Sequence, residues 1–485
     1  MSGLHIIGLP TLAILTLVAI LSQPPRLARQ WVFPLMCSAR WWSIPHWMLR
    51  WFRLECEFVH KRLRSQRIVQ LGPKFFYLDP SVKAHRAALR DPSNGKPNSY
   101  YKGYPPLNAA RTLFTTMDTQ QHKETKRRVL SAFKKDRTDS MRNLETCAKQ
   151  ALDKTLRSAC RNAAKTGNRL DLAELAHRSF LEIWFSVIHG QRESDISAAA
   201  WKDLKGFLSS VESRQCCPDS LIWLSGMIDQ LSSFITGMVK ANDTGKSSRQ
   251  VIEQFITESN ITTLPDKNVY PNPSAYLRIE SSWTTDQLTA ELIDLSEGGE
   301  NITILILTIF WLLSLPKHYS TLEKLRLASG PDRATLIRGV VRETLRLYPP
   351  FAGPQERTLA QKTDIDGNGF LLPQGCVIAF QAYTANRNPE VFPEPDRWCP
   401  DRWLDEDDHK RREMVRESLS FGLAQYDCPG ADMALQVASL ATESWIESQQ
   451  KFVVELVESS YSPTFHSGQI QFPLSPIEAT VGYTK

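Results

Sequence analysis

The chain has 485 residues, 42% apolar and 23% charged, the balance of a globular protein able to bury a large core. A net charge of +6 is spread thinly, with no basic run interleaved with aromatics, so no nucleic-acid partner is expected; an anionic membrane surface or an acidic protein suits it better. Nine cysteines, an odd number without paired spacing, exclude a disulfide framework and a zinc motif and point to a reducing compartment.

Leu4 to Leu21 carries no charged side chain and is dominated by Leu, Ile, Val and Ala. As a helix it would span roughly 27 Å, close to the hydrocarbon thickness of a bilayer. No basic residue precedes it, and no small-x-small cleavage pattern follows, so a retained anchor over 1–25 is expected. Arg26 and Arg29 follow directly, which predicts a single pass with the rest of the chain in the cytosol. Residues 26–55 form a Trp-rich linker with Trp31, Trp41, Trp42, Trp47 and Trp51 among arginines. Two readings stay open for it, a membrane-interface segment and a segment docked on the folded body. The folded domain is expected over 56–485.

Glu57 to Arg67 reads as a basic helix, Ile68 to Pro73 as a strand ending in a turn, Phe75 to Leu78 as a second short strand, and Asp79-Pro80 as a helix start. Asp91 to Leu107 is dense in Pro, Asn, Gly and Tyr and reads as a loop. The next helix carries His122, Lys123, Lys126, Arg127 and Arg128. From Arg142 to Gln254 the pattern is helical, with breaks at Gly167, Gly190 and Pro218. No catalytic constellation shows there, and His177 and His189 read as packed histidines. Gly245 to Thr284 reads as a loop region.

Thr285-Asp286 is expected to cap a long helix ending near Leu315. Its apolar half, Ile302 to Leu315, is too short to cross a bilayer and predicts a buried central helix. Glu297-Gly298-Gly299-Glu300-Asn301 interrupts it. Each glycine costs roughly 1 kcal/mol relative to alanine in a helix interior, so a bend that holds water is expected there. Asp332 to Leu347 is the next helix, stopped by Pro349-Pro350; Glu343 and Arg346 share a face and can pair. Arg357 follows. Asp366 to Gly369 signals a hairpin, Leu371 to Phe380 reads as strand, and Ser462 to Ile477 as a hairpin-like tail. No repeat appears, and no flavin or nicotinamide site.

The last signal is Phe421 to Gly430, FGLAQYDCPG, followed by a helical run with Met433, Val437, Ala438 and Leu440 on one face. Cys428 falls at that helix's N-terminus, where unpaired N–H groups favour a thiolate, the form that binds a metal.

Phe-x-x-x-x-x-x-Cys-x-Gly resembles the cysteine loop of the cytochrome P-450 family, haem-thiolate monooxygenases of a fungal microsomal type. The E-T-L-R-L-Y-P-P run at Glu343 to Pro350 and the Gly298-Glu300 segment match the family in order. The resemblance implies a mainly α fold with small β-sheets enclosing haem b, preceded by one transmembrane helix. It implies that Cys428 ligates the iron and that Phe421 and Tyr426 lie against the haem. His122, Lys126 or Arg127, with Arg357, would hold the propionates. Glu300 and Asn301 would manage dioxygen and protons, with Asn301 standing where the family has threonine. Glu343, Arg346 and Arg402 would form a structural lock. Ala424 and Tyr426 replace the family's glycine and basic residue. The implied reaction inserts one oxygen atom from dioxygen into a small lipophilic substrate, in secondary metabolism, with electrons from an NADPH-dependent flavoprotein reductase at the endoplasmic reticulum membrane. Two alternatives stand beside it: a haem-thiolate isomerase or dehydratase, and a non-catalytic membrane protein with a decayed haem site.

Overall fold

In the computed structural model the described residues are 68–71, 74–77, 82–91, 93–96, 112–114, 116, 119–190, 270–352, 354–365, 371–404, 407–423, 426–463, 471, 473 and 476–484. The expected anchor, the Trp-rich linker, most of the loop after Asp91, and Ala424 lie outside them.

Strands β1 (Ile68–Leu71) and β2 (Lys74–Tyr77) form an antiparallel hairpin. Helix α1 (Val82–Arg90) follows, then α2 (Thr119–Ala132) and α3 (Leu144–Thr166). A short β3 (Leu170–Asp171) leads into α4 (Leu172–Trp184), which Asp171 caps by accepting from the N–H groups of Ala173 and Glu174. Helix α5 (Pro273–Glu280) precedes the long α6 (Thr285–Ser314). Helices α7 (Tyr319–Leu327) and α8 (Gly330–Leu347) come next. Then follow β4 (Pro354–Thr358), β5 (Thr363–Asp364), β6 (Leu371–Leu372) and β7 (Val377–Gln381). The chain closes with α9 (Asp408–Glu417), α10 (Ala431–Ser448), β8 (Phe452–Leu456) and β9 (Glu478–Tyr483).

The main sheet runs β1-β2-β7-β4, with β2 parallel to β7 and the other pairs antiparallel. A second sheet runs β3-β9-β8, and β5 pairs with β6. The helices make up the larger part of the fold, with the sheets at its side.

Helix α6 is the axis of the core. Its cap is Thr284, one residue earlier than the sequence suggests: the Thr284 hydroxyl accepts from the N–H of Gln287 at 3.2 Å. Ile302 and Ile304 to Leu313 are all buried. They face α4, α8 and α10, and each large aliphatic side chain so buried stabilises the fold by about 2 kcal/mol. Phe310 stacks on Trp445 of α10 with ring centroids 4.3 Å apart. By length and composition α6 could cross a membrane, but three-quarters of its most apolar window (76%) is buried inside the protein, so it is a core helix.

The helix does not break at Gly298-Gly299; it continues as α-helix across them. The reason lies in packing. A Cβ on Gly299 would stand 2.7 Å from Cζ of Phe180 and 2.9 Å from the Trp184 ring, so glycine lets α4 close against α6. Trp184 then donates from Nε1 to Ser296 Oγ at 2.9 Å, tying the two helices together. On Gly298 a Cβ would meet nothing within 4 Å; that side of α6 is open.

Candidate active site

A buried ionic lock sits behind the Cys428 loop. Glu343 and Arg346 are both fully buried, and the guanidinium meets the carboxylate through two bonds of 2.8 and 2.9 Å. Local helix spacing makes this pair; distant chain completes it. Arg402 Nε, the Cys399 N–H and Trp403 Nε1 all donate to Glu343, at 3.0, 2.9 and 2.9 Å. Five hydrogen bonds from four residues let this buried charge be tolerated. Arg346 also donates to the carbonyl oxygens of Asn386 and Pro395 at 2.9 and 2.6 Å. Asn386 carries the lock onward. Its Oδ1 accepts from the N–H of Leu419 at 2.8 Å, and its Nδ2 donates to Ser420 Oγ at 3.0 Å. Phe421 is the next residue.

The loop itself turns at Gly422, whose φ is +73°; a Cβ there would be strained and would lie 2.9 Å from the carbonyl oxygen of Tyr426. The turn brings the N–H of Cys428 onto the carbonyl of Phe421 at 2.8 Å. Gly430 is the N-cap of α10, and its backbone N–H donates to the Cys428 sulfur. Of the described cysteines only Cys428 is exposed. Its thiol is nevertheless pushed up, chiefly by burial, with the Gly430 N–H and the Lys126 charge pulling it down. The sequence suggested a thiolate from the helix terminus alone; in the metal-free fold desolvation outweighs that terminus, so a metal ion would have to displace the proton.

Cations gather beside this loop. Strand β4 pairs Arg357 with Ile378 of β7, and this places the buried guanidinium 3.8 Å from the centroid of the Tyr426 ring. His122 lies against the same ring at 4.9 Å, its Nδ1 3.1 Å from the Leu113 carbonyl. Lys126, one turn along α2, pairs with Asp427. Arg127 is exposed.

Lys96 joins them, a residue that nothing in its sequence neighbourhood singles out. Its ammonium stands 5.7 Å from the Tyr426 ring and donates to the carbonyls of Leu113 and Phe114 at 2.9 and 2.7 Å. Burial, and next the charge of Arg357, push its pKa down to about 7. Arg357 and Lys96 thus bring two cationic side chains to the one Tyr426 ring.

On the other side of the site, α6 presents Glu300 and Asn301. Glu300 Oε1 is 2.8 Å from His177 Nδ1 of α4. Asn301 donates from Nδ2 to the Gly298 carbonyl at 3.0 Å. Toward its N-terminus α6 carries Glu291 and Asp294, three residues apart and both buried. Glu291 accepts from the N–H of Leu113 at 3.2 Å and Asp294 from that of Phe114 at 3.1 Å. The peptide between them and Lys96 is thus gripped on its N–H side by carboxylates and on its carbonyl side by the ammonium. Burial raises both carboxyls, Asp294 to about 6 and Glu291 well above the usual range, where the Asp294 charge adds to it.

A helical body with side sheets and a locked loop presenting an exposed cysteine are the features of a haem-thiolate fold. The comparisons agree. The Cytochrome P450 family model matches residues 59–481, so the chain belongs to the cytochrome P450 family. The family's cofactor is haem b with an axial cysteine thiolate. A cytochrome P450 monooxygenase of Aspergillus terreus is 34% identical over 172 residues, covering 32% of this chain and 33% of that protein. The cytochrome P450 monooxygenase pkfB of Emericella nidulans is 23% identical over 425 residues, 78% of each chain. The first curated relatives are thus matched over about a third of their length. Among solved structures, retinoic acid-bound cyanobacterial CYP120A1 superposes with a TM-score of 0.69 at 16% identity, covering 88% of this chain and 94% of that one, a likeness of fold.

Proposed function

We propose that the chain is a membrane-anchored haem-thiolate monooxygenase that inserts one oxygen atom from dioxygen into a small lipophilic molecule. The observation that carries this reading is Cys428: exposed, donated to by the Gly430 N–H, and fixed from behind by the Glu343–Arg346–Asn386 chain of bonds. Cys428 is the iron ligand in this reading. The haem, when bound, supplies reductive activation of dioxygen; a thiolate ligand favours that cleavage.

The chain's own residues do the rest. Arg357, Lys96 and His122 receive the propionates, with Tyr426 offering its ring face to the cations and its hydroxyl as a hydrogen-bond donor. Lys126 steadies the loop through Asp427. Phe421 covers the cysteine side through its carbonyl bond to the Cys428 N–H. Glu300 is the group of α6 assigned to proton delivery, held against α4 by His177. Electrons come from NADPH through a separate flavoprotein reductase, docked on the exposed basic face of α2 at Lys123 and Arg127. The apolar segment Leu4 to Leu21 supports an anchor in the endoplasmic reticulum membrane. The similarity to the fungal monooxygenases and to the ferruginol synthase of Salvia miltiorrhiza, 29% identical over 149 residues, supports a role in secondary metabolism.

The test is the absorption spectrum of the reduced, carbon monoxide-bound protein. Wild type shows stoichiometric haem with the red-shifted band of thiolate ligation, and Cys428→Ala loses that band. A protein without haem is the decayed-site alternative; an unchanged band in the variant removes Cys428 as the ligand. One observation favours the isomerase or dehydratase alternative: Asn301 has an N–H tied to Gly298, and an amide is a poor proton relay. Product formed under labelled dioxygen decides between them, since a rearranged or dehydrated product carries no label.

A further inference from the structure

Glu300 does not lie loose on α6. Its Oε1 is 2.8 Å from Nδ1 of His177, and the two side chains are only 14% and 9% exposed. The other polar atom of each, Glu300 Oε2 and His177 Nε2, is buried without a hydrogen-bond partner. One hydrogen bond therefore decides where this carboxyl group rests, and breaking it inside the fold leaves both groups unsatisfied. The bond exists because Gly299 lets α4 approach; Phe180 and Trp184 fill the space any side chain would take. The adjoining Asn301 puts Nδ2 on the Gly298 carbonyl and leaves Oδ1 buried and unpartnered, an acceptor with no proton to give.

We propose that His177 is a positioning residue for oxygen reduction: it parks the Glu300 carboxyl against α4, and proton delivery requires that carboxyl to turn away from α4. This rests on the monooxygenase reading above. His177 does not touch the reacting atoms; it sets the population of Glu300 orientations and hence how much activated oxygen leaks away as hydrogen peroxide. A more open carboxyl delivers protons at the wrong moment as readily as the right one, so losing the anchor uncouples the enzyme rather than stopping it.

The experiment compares wild type, His177→Leu, His177→Gln, Glu300→Gln and the double variant as reconstituted haem proteins. Two quantities are read: the infrared C–O stretch of the ferrous carbon monoxide complex, which senses charge and dipoles near the ligand, and the share of NADPH electrons recovered as peroxide. His177→Leu shifts the stretch and raises the peroxide share about threefold. His177→Gln, whose amide restores a donor, returns both toward wild type. In the Glu300→Gln background His177→Leu changes neither. An unchanged stretch and peroxide share in His177→Leu, beside altered values in Glu300→Gln, overturns the role of His177 alone. Values for Glu300→Gln equal to wild type overturn the proton role of Glu300, a separate failure.

Discussion

Arg346 donates to the backbone carbonyl of Asn386 at 2.9 Å, and the same asparagine's side chain takes the N–H of Leu419 at 2.8 Å. Asn386 is therefore the hinge between a buried ion pair and the cysteine loop. Asn386→Leu keeps the volume but removes the acceptor for Leu419 and the donor for Ser420 Oγ. The buried Leu419 N–H then goes unsatisfied, at about 1–3 kcal/mol, while Ser420 Oγ keeps the Leu345 carbonyl and Ser418 Oγ. We expect the variant to fold with a lowered thermal midpoint and to hold haem substoichiometrically, measured by the ratio of Soret to protein absorbance. Arg346→Leu strands the Glu343 charge in the core and costs about 3–5 kcal/mol, so it yields little folded protein.

The two glycines of α6 separate a packing role from an open space. Gly299→Ala drives a Cβ into Phe180 and Trp184, and overpacking of this kind costs about 1–3 kcal/mol. Gly298→Ala meets nothing and gains up to about 1 kcal/mol of helix propensity. Thermal melts should move in opposite directions for the two variants. Equal destabilisation would mean that the helix needs both glycines for its backbone and not for its neighbours.

What could be read in the sequence was what is local. Glu343 and Arg346 are three residues apart on one helix, Gly422 and Cys428 fall within one loop, and the run Ile302 to Leu315 is apolar enough to declare a buried helix by itself. The functional partners that stayed hidden are long-range. His177 is 123 residues from Glu300, and Lys96 meets the Tyr426 ring only through the fold. A histidine in an apolar helix and a lysine in a Pro-Gly-Asn loop look the same whether they serve a site or not. That α-helix continues through Gly298-Gly299 has a related reason. Helix propensity prices a glycine against solvent, whereas Gly299 is set against the rings of α4.

Glu291 and Asp294 give the fold a pH dependence with a definite sign. A carboxyl raised in the folded state favours folding while protonated. That contribution is complete below its unfolded value, 3.8 for Asp294, and is lost as pH rises through its folded value of about 6. Glu291, raised further by burial and by Asp294, behaves likewise at higher pH. Glu291→Gln keeps an acceptor for the Leu113 N–H and removes the need to ionise. At alkaline pH it should stabilise the protein relative to wild type, and at pH 5 by little. Denaturant titrations at the two pH values check this; a gain of the same size at both would show that the glutamate is not held protonated by its surroundings.

Lys96 supplies a test of the proposed propionate site that does not depend on turnover. Its ammonium is pushed down to about 7 by burial and by Arg357, so in the haem-free protein it carries a charge only part of the time near neutrality. A carboxylate arriving beside it restores the ammonium, and haem binding is then linked to proton uptake. Haem ligation also displaces the Cys428 proton, so wild type should bind haem near pH 7.5 with one proton more than Lys96→Met does, read as a difference in the dependence of the binding enthalpy on the ionisation enthalpy of the buffer. Lys96→Met loses that proton and weakens haem retention roughly tenfold, while keeping the packing of the aliphatic stem. Lys123→Met, an exposed change on the outer face of α2, serves as the control and leaves both quantities where they were. A proton balance in Lys96→Met equal to that of wild type would place the titrating group elsewhere and remove Lys96 from that site.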